Sequence, residues 1–387
     1  HRDLHSFPTR RSSDLVFAAS GEELSTGVTT DKAHNTGGMP VSDRGHQERL
    51  RNTADRLNLA ARCLSGIPAM KGAVSAIREK EMRFRNRSFT ISLFGAFSAG
   101  KSSFANALMG ERILPVSPNP TTAAINRILP PREGWEHGTA RVVFKTPEQM
   151  EEDVRYSLQV LGIKSDSMAS SLQFIETLEP SRISGQAKPH YAFLRAVKEG
   201  WDEAKHQLGG ELKVDLEQFS KYASEERKAC FVEFIELFFR NPLTEQGVIL
   251  VDTPGADSIN ARHTGVAFNY MKNADAILFV TYYNHAFSHA DRELLLQLGR
   301  VKDSFELDKM FFIVNAADLA ANDEELQAVV GHVEKNLLEH GIRRPRIYPV
   351  SSKMAAAAKQ GRDPQTLRQS GIEKFERDFL RFILGEL

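Results

Sequence analysis

Gly95-Ala96-Phe97-Ser98-Ala99-Gly100-Lys101-Ser102 stands near the end of the first quarter of the chain. It fits Gly-x-x-x-x-Gly-Lys-Ser, a loop that cradles phosphates when a strand precedes it and a helix follows. Both flanks are present. Phe89–Phe94 is an apolar run of strand length. Ser103 to Met109 reads as the first turns of a helix. The loop N–H groups and the helix N-terminus then form an anion site. In this reading Lys101 reaches the β- and γ-phosphates and the Ser102 hydroxyl ligates Mg²⁺.

Downstream, Pro115, Pro118 and Pro120 lie within six residues, which prevents helix and favours an extended loop. Thr121 or Thr122 then closes over Mg²⁺ and the γ-phosphate, with Thr122 preferred. Gly247–Val251 reads as a buried strand ending in Asp252-Thr253-Pro254-Gly255. Asp252 is expected to hold a Mg²⁺-bound water, and the Gly255 N–H to sense the γ-phosphate. A strand at Lys309–Val314 runs into Asn315-Ala316-Ala317-Asp318, where a guanine reader has the form Asn-Lys-x-Asp. The Asp318 carboxylate can accept both N–H donors on the guanine edge, and Asn315 braces the loop. A site built to pair those donors discriminates against adenine. Ala316 replaces the lysine, so its stem and ammonium are missing. Arg346–Val350 is the last strand, followed by Ser351-Ser352-Lys353, a loop suited to touching the base O6 through a backbone N–H.

Each motif falls at the C-terminal end of a strand, where open α/β sheets bind ligands. The expected fold is therefore α/β: a P-loop NTPase with a doubly wound, mostly parallel sheet, a helical insertion and flanking neck helices. The expected reaction is attack of water on the γ-phosphate of GTP, with Mg²⁺.

The rest of the 387 residues narrows this reading. Fifty Lys+Arg balance fifty Asp+Glu, so no net basic field recruits nucleic acid. That argues against a ribosome- or RNA-associated GTPase, the main alternative. Cys63 and Cys230 make no disulfide framework, which suits a reducing cytoplasm. No apolar run is long enough to span a membrane. Residues 1–15 read as translated sequencing adapter and are set aside. Residues 16–45 are rich in Ser, Thr, Gly and Asp, without periodicity, and read as disordered. Residues 46–88 carry two helical patterns broken at Gly66-Ile67-Pro68, the expected neck helices. The nucleotide domain is placed at 89–360, with a helical insertion over about 146–228 opened by a capping box at Thr146-Pro147-Glu148-Gln149. Ile372, Phe375, Phe379 and Phe382 form an apolar stripe, which suits an ordinary closing helix of the domain or, by the resemblance given below, the start of a C-terminal helical bundle over 361–387.

Phe97-Ser98-Ala99-Gly100-Lys101-Ser102-Ser103, the Pro-Thr-Thr loop, Asp252-Thr253-Pro254-Gly255 and the long insertion resemble bacterial dynamin-like GTPases, particularly the large ones of Gram-positive bacteria. The resemblance implies G domains that pair across bound GTP as a homodimer, and a membrane partner engaged through parts beyond this chain. It implies a cytoplasmic protein, peripheral at the inner face of the cell membrane, that remodels or fuses membranes. By position, Ser98 matches a loop serine that helps hold a charge-compensating monovalent cation. Phe97 stands where eukaryotic dynamins have a glutamine that positions the attacking water. Phe cannot hydrogen-bond, so that role passes to backbone, a switch residue or a partner. A non-catalytic GTP-dependent interaction module is the reading that Phe97 otherwise favours.

Overall fold

The computed structural model describes residues 43–86, 88–96, 98–116, 124–180, 183, 185–253, 274–300 and 309–385. The segments expected to be adapter-derived and disordered lie outside these residues, apart from the helix start at Asp43–Gly45.

One nine-stranded sheet organises the chain. Its strands are β1 (Phe89–Phe94), β2 (Ile125–Leu129), β3 (Thr139–Phe144), β4 (Glu211–Asp215), β5 (Val232–Phe238), β6 (Val248–Asp252), β7 (Ala276–Tyr282), β8 (Met310–Asn315) and β9 (Arg346–Val350). Their order across the sheet is β4-β3-β5-β2-β6-β1-β7-β8-β9. From β6 to β9 all neighbours are parallel. On the other side β2 runs antiparallel to β6, and β3 antiparallel to both β5 and β4. The parallel half reads as continuous apolar runs because both its faces are covered.

Two helices precede the sheet: α1 (Asp43–Leu64) and α2 (Lys71–Asn86), broken by a 3₁₀ turn at Pro68–Met70 as the Gly-Ile-Pro sequence predicts. Arg85 on α2 reaches back to Asp55 on α1 at 3.2 Å, and Phe84 packs on the main core. The phosphate-loop helix α3 (Lys101–Met109) follows β1. The insertion holds α4 (Pro147–Val160), α5 (Met168–Glu176), α6 (Lys188–Ala204), α7 (Leu216–Ser224) and α8 (Glu226–Ala229). α4 starts with the predicted box: the Gln149 N–H donates to the Thr146 hydroxyl at 3.2 Å, and the Thr146 N–H to the Gln149 side chain at 2.7 Å. After a short α9 (Pro242–Glu245) come α10 (His289–Arg300), α11 (Asp323–Glu339), α12 (Ser352–Gly361), α13 (Pro364–Gln369) and α14 (Ile372–Gly385).

Alternation along β8 assigns the helices to faces. Phe311 and Ile313 join the core shared with α3, α12 and α14. Phe312 and Val314 join the opposite core, with Leu294 and Leu295 of α10 and Val333 and Leu337 of α11. Helices on both faces of a mostly parallel sheet make the doubly wound fold.

One expectation needs correction. The insertion is not wholly helical, since β4 lies within it and extends the sheet edge beside β3. Glu211, Leu212, Lys213 and Asp215 are exposed, so the strand carries the charged, weakly apolar pattern of an edge. The C-terminal stripe packs on the sheet. Ile372, Phe375, Phe379 and Phe382 are buried against the sheet. Phe375 meets Phe104 of α3 edge-on at 5.3 Å, and Phe379 meets Phe311 of β8 at 5.0 Å. An amphipathic pattern reports that a face is covered, not by what.

Candidate nucleotide site

The sheet brings the predicted motifs to one edge because β1, β6, β8 and β9 are parallel and their C-terminal ends align. The loop leaving β1 is held tightly. Gly95 has φ +151°, and a Cβ there would lie 2.0 Å from the Val280 carbonyl oxygen of β7. Gly100 has φ +86°, and a Cβ there would lie 2.1 Å from the Asn315 side-chain nitrogen. Between them Ser98 is exposed and left-handed at φ +64°, a strained conformation for a residue with a Cβ. Phe97 lies outside the described residues. Ala99 is buried beneath the loop. Lys101 is buried too, and its Nζ donates to the carbonyls of Gly95 and Ala96, each at 3.1 Å. Ser102 and Ser103 are half-buried in the first turn of α3.

The strand end of β6 supplies the acid. The Ser102 hydroxyl donates to Asp252 Oδ2 at 2.6 Å, and the Thr253 hydroxyl anchors the turn on the Leu93 carbonyl at 2.7 Å. Asp252 Oδ1 is buried without a hydrogen-bond partner among the described residues. Burial pushes the Asp252 carboxyl above its ordinary range, against the lowering effects of Lys101 and the Ser102 hydroxyl. Directly across the antiparallel ladder from Asp252 sits Asn126 of β2, so the two side chains share a face. Asn126 Oδ1 is likewise buried and has no partner among the described residues. Two orphaned oxygens on facing residues, one of them on the carboxylate that takes the Ser102 hydroxyl, suit a hard, partly hydrated cation such as Mg²⁺, which takes oxygen ligands and keeps several waters. Thr121, Thr122 and Gly255 lie outside the described residues.

The third cluster is centred on Asn315. Its Nδ2 donates to the carbonyls of Ala99 at 3.2 Å and Gly100 at 3.4 Å. Its Oδ1 accepts from the Ser352 hydroxyl at 2.7 Å, the Ser352 N–H at 3.3 Å and the Ala316 N–H at 2.9 Å. One carboxamide thus ties the phosphate loop, the β8 exit and the start of α12. Ala316 is left-handed at φ +62° and leads into a 3₁₀ turn that leaves Asp318 exposed at the rim. Ser351 caps α12 by accepting from the Met354 N–H at 3.2 Å, while its own N–H donates to Ser370. The N–H groups of Ser351 and Ser352 are therefore engaged within the protein. The exposed Lys353 follows them in the first helical turn.

Residues 91–317 match the dynamin family. The chain belongs to the dynamin family. Its P-loop domain is a dynamin-type GTPase domain, and relatives of the chain are bacterial. It is 44% identical to Dynamin-like protein A of Bacillus subtilis over 284 residues, covering 72% of this chain and 23% of that protein. It is 24% identical to Bacterial dynamin-like protein of Nostoc punctiforme over 360 residues, covering 87% of this chain and 43% of that one. Among solved structures, an oligomerised bacterial dynamin pair, described as providing a mechanism for long-range sensing and tethering of membranes, matches with a TM-score of 0.59 and 20% identity. That match covers 90% of this chain and 53% of the other, and it supports the dynamin fold. The chain thus spans less than half the length of both relatives.

Dynamin membership accounts for the motif residues but not for two that no local pattern singles out. Asn126 is one asparagine in a strand, visible only through the β2–β6 register. Asp291 is one carboxylate in a polar helix start, and it touches the phosphate loop at Ala96.

Proposed function

We propose that this chain binds GTP with Mg²⁺ at the C-terminal edge of β1, β6 and β8 and hydrolyses it to GDP and phosphate. The observation that carries the reading is the convergence on one loop of Lys101, the Ser102–Asp252 pair and Asn315, which are separated by up to 214 positions in sequence. Lys101, seated on the Gly95 and Ala96 carbonyls, would reach the β- and γ-phosphates. Ser102 would hold Mg²⁺, Asp252 would act on it through a water, and Asn126 would offer a further oxygen on the same face. The ion would supply charge neutralisation at the phosphates. Thr122 completes the metal set, with Thr121 beside it, and Gly255 senses the γ-phosphate. Ser98 helps seat a monovalent cation. Phe97 offers no hydrogen bond to the attacking water, so that water is aligned from elsewhere.

Asp318 reads the guanine edge, and the Lys353 N–H is the first-turn donor left for the base O6. Asp318→Asn should lower the preference for GTP over ATP by about tenfold or more, since it unpairs the guanine N–H groups. Competition binding with both nucleotides measures this, and unchanged selectivity refutes the base-reading role.

The domain pairs with a second copy across the bound nucleotide. Among the described residues no helix is long and apolar enough to cross a membrane. Membrane contact at the inner face of the cell membrane is the family reading for the whole protein, and remodelling or fusion is the process served. If pairing completes the site, GTP turnover per molecule should rise with protein concentration. A flat profile from nanomolar to tens of micromolar would remove the dimer from the mechanism, and binding without turnover would favour an interaction module.

A further inference from the structure

Asp291 lies at the start of α10, outside every nucleotide motif, yet only 1% of it is exposed. A buried carboxylate costs stability unless it is hydrogen-bonded, and this one is surrounded by neutral donors. Its Oδ2 accepts from the Thr281 hydroxyl at 3.0 Å, the Ser288 N–H at 2.9 Å and the Ser288 hydroxyl at 3.0 Å. The Asp291 N–H returns a bond to the Ser288 hydroxyl at 3.3 Å. This reciprocal Ser-x-x-Asp arrangement is a capping box, and it explains Oδ2 completely. It leaves Oδ1 unexplained. Oδ1 accepts from the N–H of Ala96, the second residue of the phosphate loop, at 3.3 Å.

The other end of the Ala96 residue faces the chemistry. Its carbonyl, with that of Gly95, is the seat of Lys101 Nζ. Close by, the Val280 carbonyl abuts Gly95 so tightly that no side chain fits. The end of β7 therefore presses on the loop at Gly95 and, through Thr281 and Asp291, holds its next residue. We propose that Asp291 is a positioning residue for GTP binding: it fixes Ala96 so that the Gly95 and Ala96 carbonyls aim Lys101 at the β- and γ-phosphates. It also directs the Ala96 N–H away from the phosphate cradle, which is built from the N–H groups that follow.

This inference rests on the reading of Lys101 as the phosphate-binding lysine, and the test separates the two. Affinities for a non-hydrolysable fluorescent GTP analogue and for fluorescent GDP are measured with melting temperatures, using the full chain. Asp291→Asn should lose about tenfold or more in affinity for the triphosphate, the scale of a hydrogen bond to a charged group. The loss should be smaller for GDP, because Lys101 also reaches the γ-phosphate. Ser288→Ala weakens the same cap without touching Ala96. It should lower the melting temperature while leaving both affinities within about twofold. Asp291→Glu, with the residue most usual at this position of a capping box, covers the case in which Asp291→Asn does not fold. It should keep the helix start and still lose triphosphate affinity. Lys101→Ala is the reference. If it binds GTP normally, the underlying reading fails. If it loses binding while both Asp291 variants bind normally, or while their losses for GTP and GDP are equal and match Ser288→Ala at the same melting temperature, Asp291 is only a cap and the inference is overturned.

Discussion

Lys101→Ala is expected to abolish measurable GTP turnover, with kcat/KM falling by about a thousandfold or more, on the scale of losing a preorganised charge contact. Three features concentrate the effect. The ammonium is buried, it rests on two loop carbonyls at 3.1 Å, and it lies close enough to Asp252 to lower that carboxyl's pKa. Removing it strips the phosphates of a cation and leaves the Asp252 charge less compensated. Lys101→Arg should not restore activity, because a planar fork cannot occupy a seat shaped for a compact ammonium. Turnover and fluorescent-nucleotide binding measure both variants. Activity of Lys101→Ala within a few-fold of the parent chain would refute the site.

Asp252→Asn should move stability and function in opposite directions. The folded-state carboxyl is held above its ordinary value of 3.8, chiefly by burial. The folded state therefore binds the proton more readily than the unfolded chain does. That stabilising proton is present below the unfolded value and lost as pH rises through the folded one. At neutral pH without Mg²⁺ the ionised carboxylate is a cost, which asparagine removes while its carbonyl can still accept from Ser102. The melting temperature of nucleotide-free Asp252→Asn should rise by several degrees at pH 7, at roughly 2–4 °C per kcal/mol for a domain of 150–250 residues. The gain should vanish as pH falls below about 4. Mg²⁺-dependent tightening of nucleotide binding should be lost in the same variant. A variant that melts lower at pH 7, or that keeps the full Mg²⁺ dependence, would remove Asp252 from the metal site.

Much of the site was legible because its residues are bound to local patterns. A phosphate loop must be a glycine-bearing turn between strand and helix, so Gly95, Gly100, Lys101 and Ser102 announce themselves. Asp252 and Asn315 are marked by the apolar strands they terminate. Asn126 and Asp291 carry no such mark. Each acquires its role from one contact across the sheet, at a separation that no local pattern encodes: the β2–β6 register for Asn126 and a hydrogen bond 195 positions away for Asp291. The charged strand β4 was missed for a related reason. An edge strand is defined by the neighbour it pairs with, and all side chains of β4 but Val214 face water.

Sequence alone is enough to place the phosphate loop, the Asp252 turn and the Asn315–Asp318 turn along one edge of a doubly wound sheet. Local rules of turn, strand and helix fix those, and parallel strands align their ends. The folded chain was needed to show where the C-terminal aromatic stripe is buried, since any apolar surface of matching shape would have satisfied its pattern. It was also needed to show what holds the phosphate loop in place, because Gly95–Ser102 cannot specify its own supports. Val280, Asp291 and Asn315 reach the loop through strand register and packing, which exist only once the sheet is assembled.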